Sequence, residues 1–292
     1  MSMKRIISLF RFLLLLSGVL QAQKPGQDSL TGDIAFYADI MVNAGDADHR
    51  QRAHDSFTNV LSLLLSNPSS FSTSLDSIPW ISVVHGNGFR MITWQHRIND
   101  ETYQYGGYIQ WPDKIVTLQD SRPWVNGASR NIVTPGTWYG ALYYKLYPFT
   151  LEGKEYYILF GFNAENSLIN TKVADILDLS GPEPRLGMPL FIKPDDAQSR
   201  LIITYADASP VQLFYDPQLN AIVHDHLEHL PGVGPSGESL PVSDGSQEAW
   251  VYKDGKWIYV EEVYDVKSEE PPMSEERKDR KEDKDILGRP KG

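Results

Sequence analysis

At 292 residues the chain is long enough for one large domain or two small ones, and 38 acidic against 27 basic residues give a net charge of −11. Such an acid excess repels phosphate backbones and anionic headgroups, which argues against nucleic acid and membrane surfaces as partners. The chain has no cysteine, so disulfides, thiol nucleophiles and a lipid-modified cysteine are excluded.

The chain opens with a basic stretch (Lys4, Arg5, Arg11), an apolar run from Phe12 to Leu20, and the small residue Ala22 between two glutamines. This is the plan of a secretory signal peptide spanning residues 1–22, and the uncharged run is too short to cross a bilayer. The expectation is a periplasmic or secreted protein with no membrane insertion after cleavage. Lys24 to Thr31 reads as a short polar leader. Phe57, Val60, Leu61, Leu64 and Leu65 then recur at i, i+3, i+4, i+7 and i+8, which predicts one amphipathic helix over about 46–66, ended by Asn67-Pro68.

From Ile78 the pattern turns to strands. Ile81–Val84, Phe89–Trp94, Tyr103–Gln110 and Lys114–Leu118 are separated by turn-forming clusters, and Asp120 to Gly136 reads as a long loop. The segment from Trp138 to Asn163 predicts a hairpin turning at Glu152-Gly153-Lys154. Both faces of its arms carry large side chains, which places it in the middle of the fold, covered on both sides. Strict alternation sets Tyr139, Ala141, Tyr143, Lys145 and Tyr147 on one face. Val173, Ile176 and Leu177 fit helical spacing slightly better than a strand. Met188–Ile192, Arg200–Ala206, Val211–Asp216 and Ala221–Leu227 extend the meander, Pro231–Ser246 reads as a loop, and Ala249–Tyr252 with Trp257–Val260 forms a last hairpin on Asp254-Gly255. Residues 266–292 hold as many basic as acidic groups and almost nothing apolar, which predicts a disordered charged tail. Residues 23–265 form a single, mainly β domain: an antiparallel meander closing as a sandwich or open barrel, with one N-terminal amphipathic helix.

The densest set of ligand-type side chains is His224-Asp225-His226-Leu227-Glu228-His229. On a strand His224 and His226 share a face and Asp225 takes the other, while His229 lies past the strand and must reach back. Asp225, His226 and His229 are the candidate polar site. Gly-x-Ser-x-Gly, a phosphate-cradling loop and a dinucleotide fingerprint are all missing. Aromatics are numerous, and Trp94, Trp138 and Tyr139 are candidate stacking platforms, with Trp111, Trp124, Trp250 and Trp257 as further tryptophans. Filling of a β core explains the same positions.

Trp138-Tyr139-Gly140-Ala141-Leu142-Tyr143-Tyr144, Tyr157-Ile158-Leu159-Phe160-Gly161-Phe162-Asn163, Lys172-Val173-x-Asp175-Ile176-Leu177, Arg200-Leu201-Ile202-Ile203-x-Tyr205 and Ile222-Val223-His224-Asp225-His226-Leu227 occur in that order. In these motifs the chain resembles a family of uncharacterised secreted proteins of Bacteroidota, over roughly residues 40 to 264. The resemblance implies export and no particular activity. The expected function is a non-catalytic binding or envelope-associated protein, with no cofactor or resident metal and an unidentified protein or glycan ligand. The competing expectation is a periplasmic hydrolase, metal-assisted, using Asp225, His226 and His229.

Overall fold

The computed structural model describes residues 27–122, 127–232, 237–261 and 263. The expected signal peptide, the charged tail and Trp124 lie outside the described residues.

Two helices open the chain where the sequence predicts one. Helix α1 (Gln27–Asn43) buries Leu30, Ile34, Ala38, Met41 and Val42. That stripe was hidden because polar residues and Gly32 surround its first members. Helix α2 (Ala47–Leu65) carries the expected stripe, and its Asp46 N-cap accepts from the His49 amide. Buried Arg50 anchors α2 by donating to the carbonyls of Ala44, Gly45, Arg97 and Ile98.

The strands form three sheets. The first is a plain antiparallel meander of β1 (Ile81–His85), β2 (Arg90–Arg97), β3 (Tyr103–Gln110) and β4 (Ile115–Gln119). The central sheet contains β5 (Leu142–Leu151), β6 (Lys154–Ala164), β7 (Ile169–Asp178) and β11 (Arg200–Ala206), in the order β11-β7-β6-β5, with β8 (Arg185–Leu186) pairing the end of β7. The outer sheet runs β10 (Asp196–Gln198), β9 (Phe191–Lys193), β15 (Lys256–Val260), β14 (Leu240–Lys253), β13 (Ala221–Leu230), β12 (Leu213–Asp216). Among the described strands only the β15–β9 pairing is parallel, and an isolated bridge between Asp120 and Trp138 is parallel too. The fold is thus mainly β, antiparallel and open. Residues 171–179 belong to strand β7 and not to a helix. The strand is buried on both faces, so its apolar spacing carries no period-two signal. The later part of the expected 231–246 loop is strand as well, since β14 begins at Leu240.

Three cores stack these elements into layers. The helices pack on one face of the first sheet through Phe57, Leu61, Ile92 and Trp94. Its other face meets the central sheet through Met91, Ile109, Tyr143 and Leu159. The far face of the central sheet meets the outer sheet through Ile158, Phe160, Ile222 and Trp257. The hairpin β5–β6 therefore lies in a layer covered on both sides, as its two apolar faces require. Its alternation, however, breaks at Tyr144. Tyr143 pairs with Gly161 and Lys145 with Phe160, leaving Tyr144 as a bulge. Tyr143 and Leu146 consequently face the first sheet, while Tyr147, Phe149 and Leu151 face the outer one.

Strand β11 is fixed to β7 by a fully buried ion pair, Arg200 Nε to Asp175 Oδ2 at 2.7 Å. Tyr143 donates to the same carboxylate oxygen and accepts from Trp138 Nε1, and Arg200 also donates to the carbonyls of Ala128 and Leu186. Replacing Arg200 with Met strands a buried carboxylate. The expected loss is about 3–5 kcal/mol in urea-induced unfolding, against a much smaller loss when Asp175 is made apolar in the same variant.

A second buried polar feature joins α2 to β2. The His54 and His96 rings stack with centroids 4.3 Å apart, and neither His96 nitrogen has a protein hydrogen-bond partner among the described residues. Burial, aided by His54 and Arg50, pushes His96 down to about 4, and burial lowers His54 despite nearby Asp55. Between pH 6.5 and 4 the unfolded chain therefore binds a proton that the folded chain refuses, and stability falls as pH falls. In His96→Phe the drop in melting temperature over that window should be visibly shallower than in the wild type.

Candidate functional site

A cleft of about 310 Å³ opens where the outer sheet extends past β11, the last strand of the central sheet. Its floor is the inner face of β13 and β14, carrying His224, His226, Glu248 and Trp250, with Lys193 of β9 beside them. Two other hollows, one around Trp111 and Pro182 and one on the α1–α2 surface, lack such convergence of buried titratable groups.

His224 is nearly buried and neutral. Its Nδ1–H donates to the Asp225 carbonyl at 3.0 Å, so Nε2 is the acceptor for Trp250 Nε1–H at 3.2 Å. No proton is then left for Glu248 Oε2, 3.5 Å from His224 Nε2, and that contact is not an ion pair. Burial lowers the His224 pKa in agreement with this assignment, although the Asp225 carbonyl and Glu248 pull the other way.

Glu248 is the hub. Its Oε1 accepts from Tyr259 OH at 2.6 Å and from His226 Nδ1 at 2.7 Å. Burial alone would raise this carboxyl, but those two bonds hold it below the usual range. The same bond raises His226, against partial desolvation. Tyr259 is raised by burial and by the adjacent carboxylate, so it stays a donor. Lys193 places its ammonium 3.9 Å from the Tyr259 ring centroid and 5.3 Å from that of Trp250, giving the cleft a cation held by aromatic faces.

A bulge completes the site. Leu227 pairs with Ser243 and Asp225 with Gln247, so Asp244-Gly245-Ser246 sit opposite His226 alone. Gly245 at φ +86 allows the turn, and Asp244 Oδ1 accepts from the Ser246 amide and hydroxyl. One ligand-type atom each from His226, Glu228 and Asp244 consequently lie within 4.8 Å of one another. With His226 Nδ1 engaged by Glu248, Nε2 is the nitrogen available to a ligand.

The expected trio lines the cleft, but its side chains do not meet at one point. Asp225 lies on the opposite face, where its carboxylate accepts from the Gln212 amide at 2.9 Å and Gln247 Nε2 at 3.1 Å, tying β12, β13 and β14 together. His229 is exposed near the strand end, opposite Pro241. Asp225, His226 and His229 all line the cleft, but the carboxylates that come close to the His226 ring are those of Glu228, Asp244 and Glu248. The aromatic candidates are core residues: Trp94 packs on Phe57, Trp138 is fully buried, and Tyr139 lies 5.6 Å beneath the Arg200 guanidinium. None of the three is available to stack on a ligand at the surface. Trp250 lines the cleft, and Tyr259 supports it from behind through Glu248 and Lys193. The alternation Glu248-x-Trp250-x-Tyr252 puts Glu248 on the face of Trp250, but nothing in the sequence singles it out from the other acidic residues.

No protein-family model matches the chain, and neither the curated proteins nor the solved structures contain a match to it.

The Glu248–His226 bond sets the charge of the cleft. In Glu248→Gln the His226 ring should titrate lower than in the wild type, back toward 6.5, as followed by its NMR ring-proton shifts across pH. An unchanged His226 titration would mean that Glu248 does not control it. Because the folded pKa of His226 is raised, its stabilising contribution is present below 6.5 and fades as pH rises through the folded value.

Proposed function

We propose that the protein is an exported, non-catalytic binding protein of the periplasm or cell exterior, and that its ligand seats in the cleft between β11 and the outer sheet. The observation that carries this is the hydrogen-bonded set His224–Trp250 and His226–Glu248–Tyr259 on an inner sheet face that elsewhere is apolar. Inner faces of a sandwich are normally hydrophobic, and a built polar network there serves something that enters. Export is supported by the basic-apolar start of the chain. Among the described residues, no helix is long and apolar enough to cross a membrane.

The proximity of His226, Glu228 and Asp244 favours one second reading, a metal-assisted hydrolase using these three in place of Asp225, His226 and His229. Calorimetric titration with zinc chloride separates the two: stoichiometric uptake that Asp244→Asn and His226→Ala both abolish supports the hydrolase.

For the binding reading, peptide and glycan arrays are probed with the purified protein, and each hit is tested by thermal shift, since a ligand of the folded state raises the melting temperature by mass action. Glu248→Gln and His226→Ala should each weaken a true cleft ligand by about tenfold, near 1.4 kcal/mol. Ligands that bind both variants as well as the wild type would place the binding site elsewhere and sink the proposal.

A further inference from the structure

Among the described residues, the middle of the β11 edge is unpaired inside the cleft. In the β11–β7 ladder the odd-numbered residues face β7, as the continuation Asp207 N–H to Leu168 O shows, so the main-chain groups of Arg200, Ile202, Thr204 and Ala206 point the other way. The Arg200 amide is taken by the Ser129 carbonyl, and the Ala206 carbonyl by the Ser209 amide. The N–H and C=O of Ile202 and of Thr204 have no main-chain partner among the described residues, and both residues line the cleft.

The other strands that end a sheet are shorter or interrupted. Strands β1 and β4 have five residues each, β10 and β12 three and four, and β5 carries the Tyr144 bulge and Pro148. By contrast, β11 is seven residues, Arg-Leu-Ile-Ile-Thr-Tyr-Ala, with neither proline nor bulge. An apolar edge of this kind invites pairing, and here it lies recessed over the polar floor of the outer sheet.

We propose that β11 is a docking edge onto which an extended peptide segment of a partner protein adds as a further strand of the central sheet, over His226, Glu248 and Lys193. The inference rests on the cleft being the ligand site. The occupant follows from the donor–acceptor pattern: N–H and C=O groups presented at every second residue are matched in repeat and direction by another extended main chain, and not by sugar hydroxyls. Glu228 and Asp244, exposed beside His226 at the rim, add a preference for a basic residue where the segment passes them, on a chain of net charge −11.

The test selects random-sequence peptides displayed on phage against the purified protein and measures the enriched sequence by fluorescence polarisation. Two versions of it are N-methylated on alternate residues, in the two complementary phases. One phase should lose binding by at least about tenfold, because it removes the amides that face β11, and the other should bind nearly as well as the parent. Thr204→Pro, which deletes one outward donor at an edge position that tolerates proline, should weaken the peptide similarly with little change in melting temperature. Equal binding of the two phases, or no enrichment, overturns the peptide edge. In that case a glycan from the array whose binding depends on Glu248 and His226 leaves the cleft as a ligand site, whereas no cleft-dependent ligand of either class removes both readings.

Discussion

The buried Asp175–Arg200 pair is the constraint on which the arrangement of the central and outer layers depends. Both side chains are fully removed from water, and the desolvation of two charges costs several kcal/mol each. Coulomb attraction alone does not offset that cost. The remaining lone pairs and protons must be used, and they are: Asp175 also accepts from Tyr143 and from the Ile176 amide, while Arg200 donates to two further carbonyls. The pair therefore fixes position more than it adds stability. It sets β11 in one register on β7, and through Ala128 and Leu186 it pins the segment that crosses the end of the sheet.

That fixed register decides what the cleft presents. With the odd-numbered residues of β11 committed to β7, Leu201, Ile203 and Tyr205 cover the apolar half of the outer sheet. The outer sheet continues beyond them, and the composition of its inner face changes at that boundary. Phe191, Ile222 and Trp257 lie under the central sheet, whereas His226, Glu248 and Lys193 line the open cleft. Burial governs the charge states across the same boundary. His224, still under cover, is held neutral, while His226, one pleat further out, gains proton affinity from Glu248.

Much of this architecture was legible in the sequence, and the failures share physical causes. Turn chemistry located the hairpins at Glu152-Gly153 and Asp254-Gly255, because a positive φ demands particular residues whatever the tertiary context. Strand β7 resisted period analysis because both of its faces are buried. Helix α1 was missed since a short apolar stripe broken by Gly32 and polar residues looks like a leader until something packs against it. Alternation failed in the hairpin at Tyr144 and in the site at Asp244-Gly245-Ser246, for the same reason: a bulge changes parity, and parity was the only means of assigning faces. His226 was found because histidines are rare. Glu248 was not, because one glutamate among 38 acidic residues carries no signal until its partners are known.

The bulge beside His226 bears on how an open edge can persist without self-association. An unpaired apolar strand at a flat sheet edge would template pairing with a second copy of the chain. Here the outer sheet projects past β11, and the Asp244-Gly245-Ser246 bulge on β14 twists that projection and lines it with charge. A second sheet edge, which arrives with neighbouring strands about 4.8 Å to its side and a covering layer about 10 Å above or below, collides with this overhang. A single extended segment has no such layer. The geometry that leaves Ile202 and Thr204 without main-chain partners among the described residues thus also filters what can pair with them, and the polar floor makes an apolar intruder pay desolvation of Glu248 and His226.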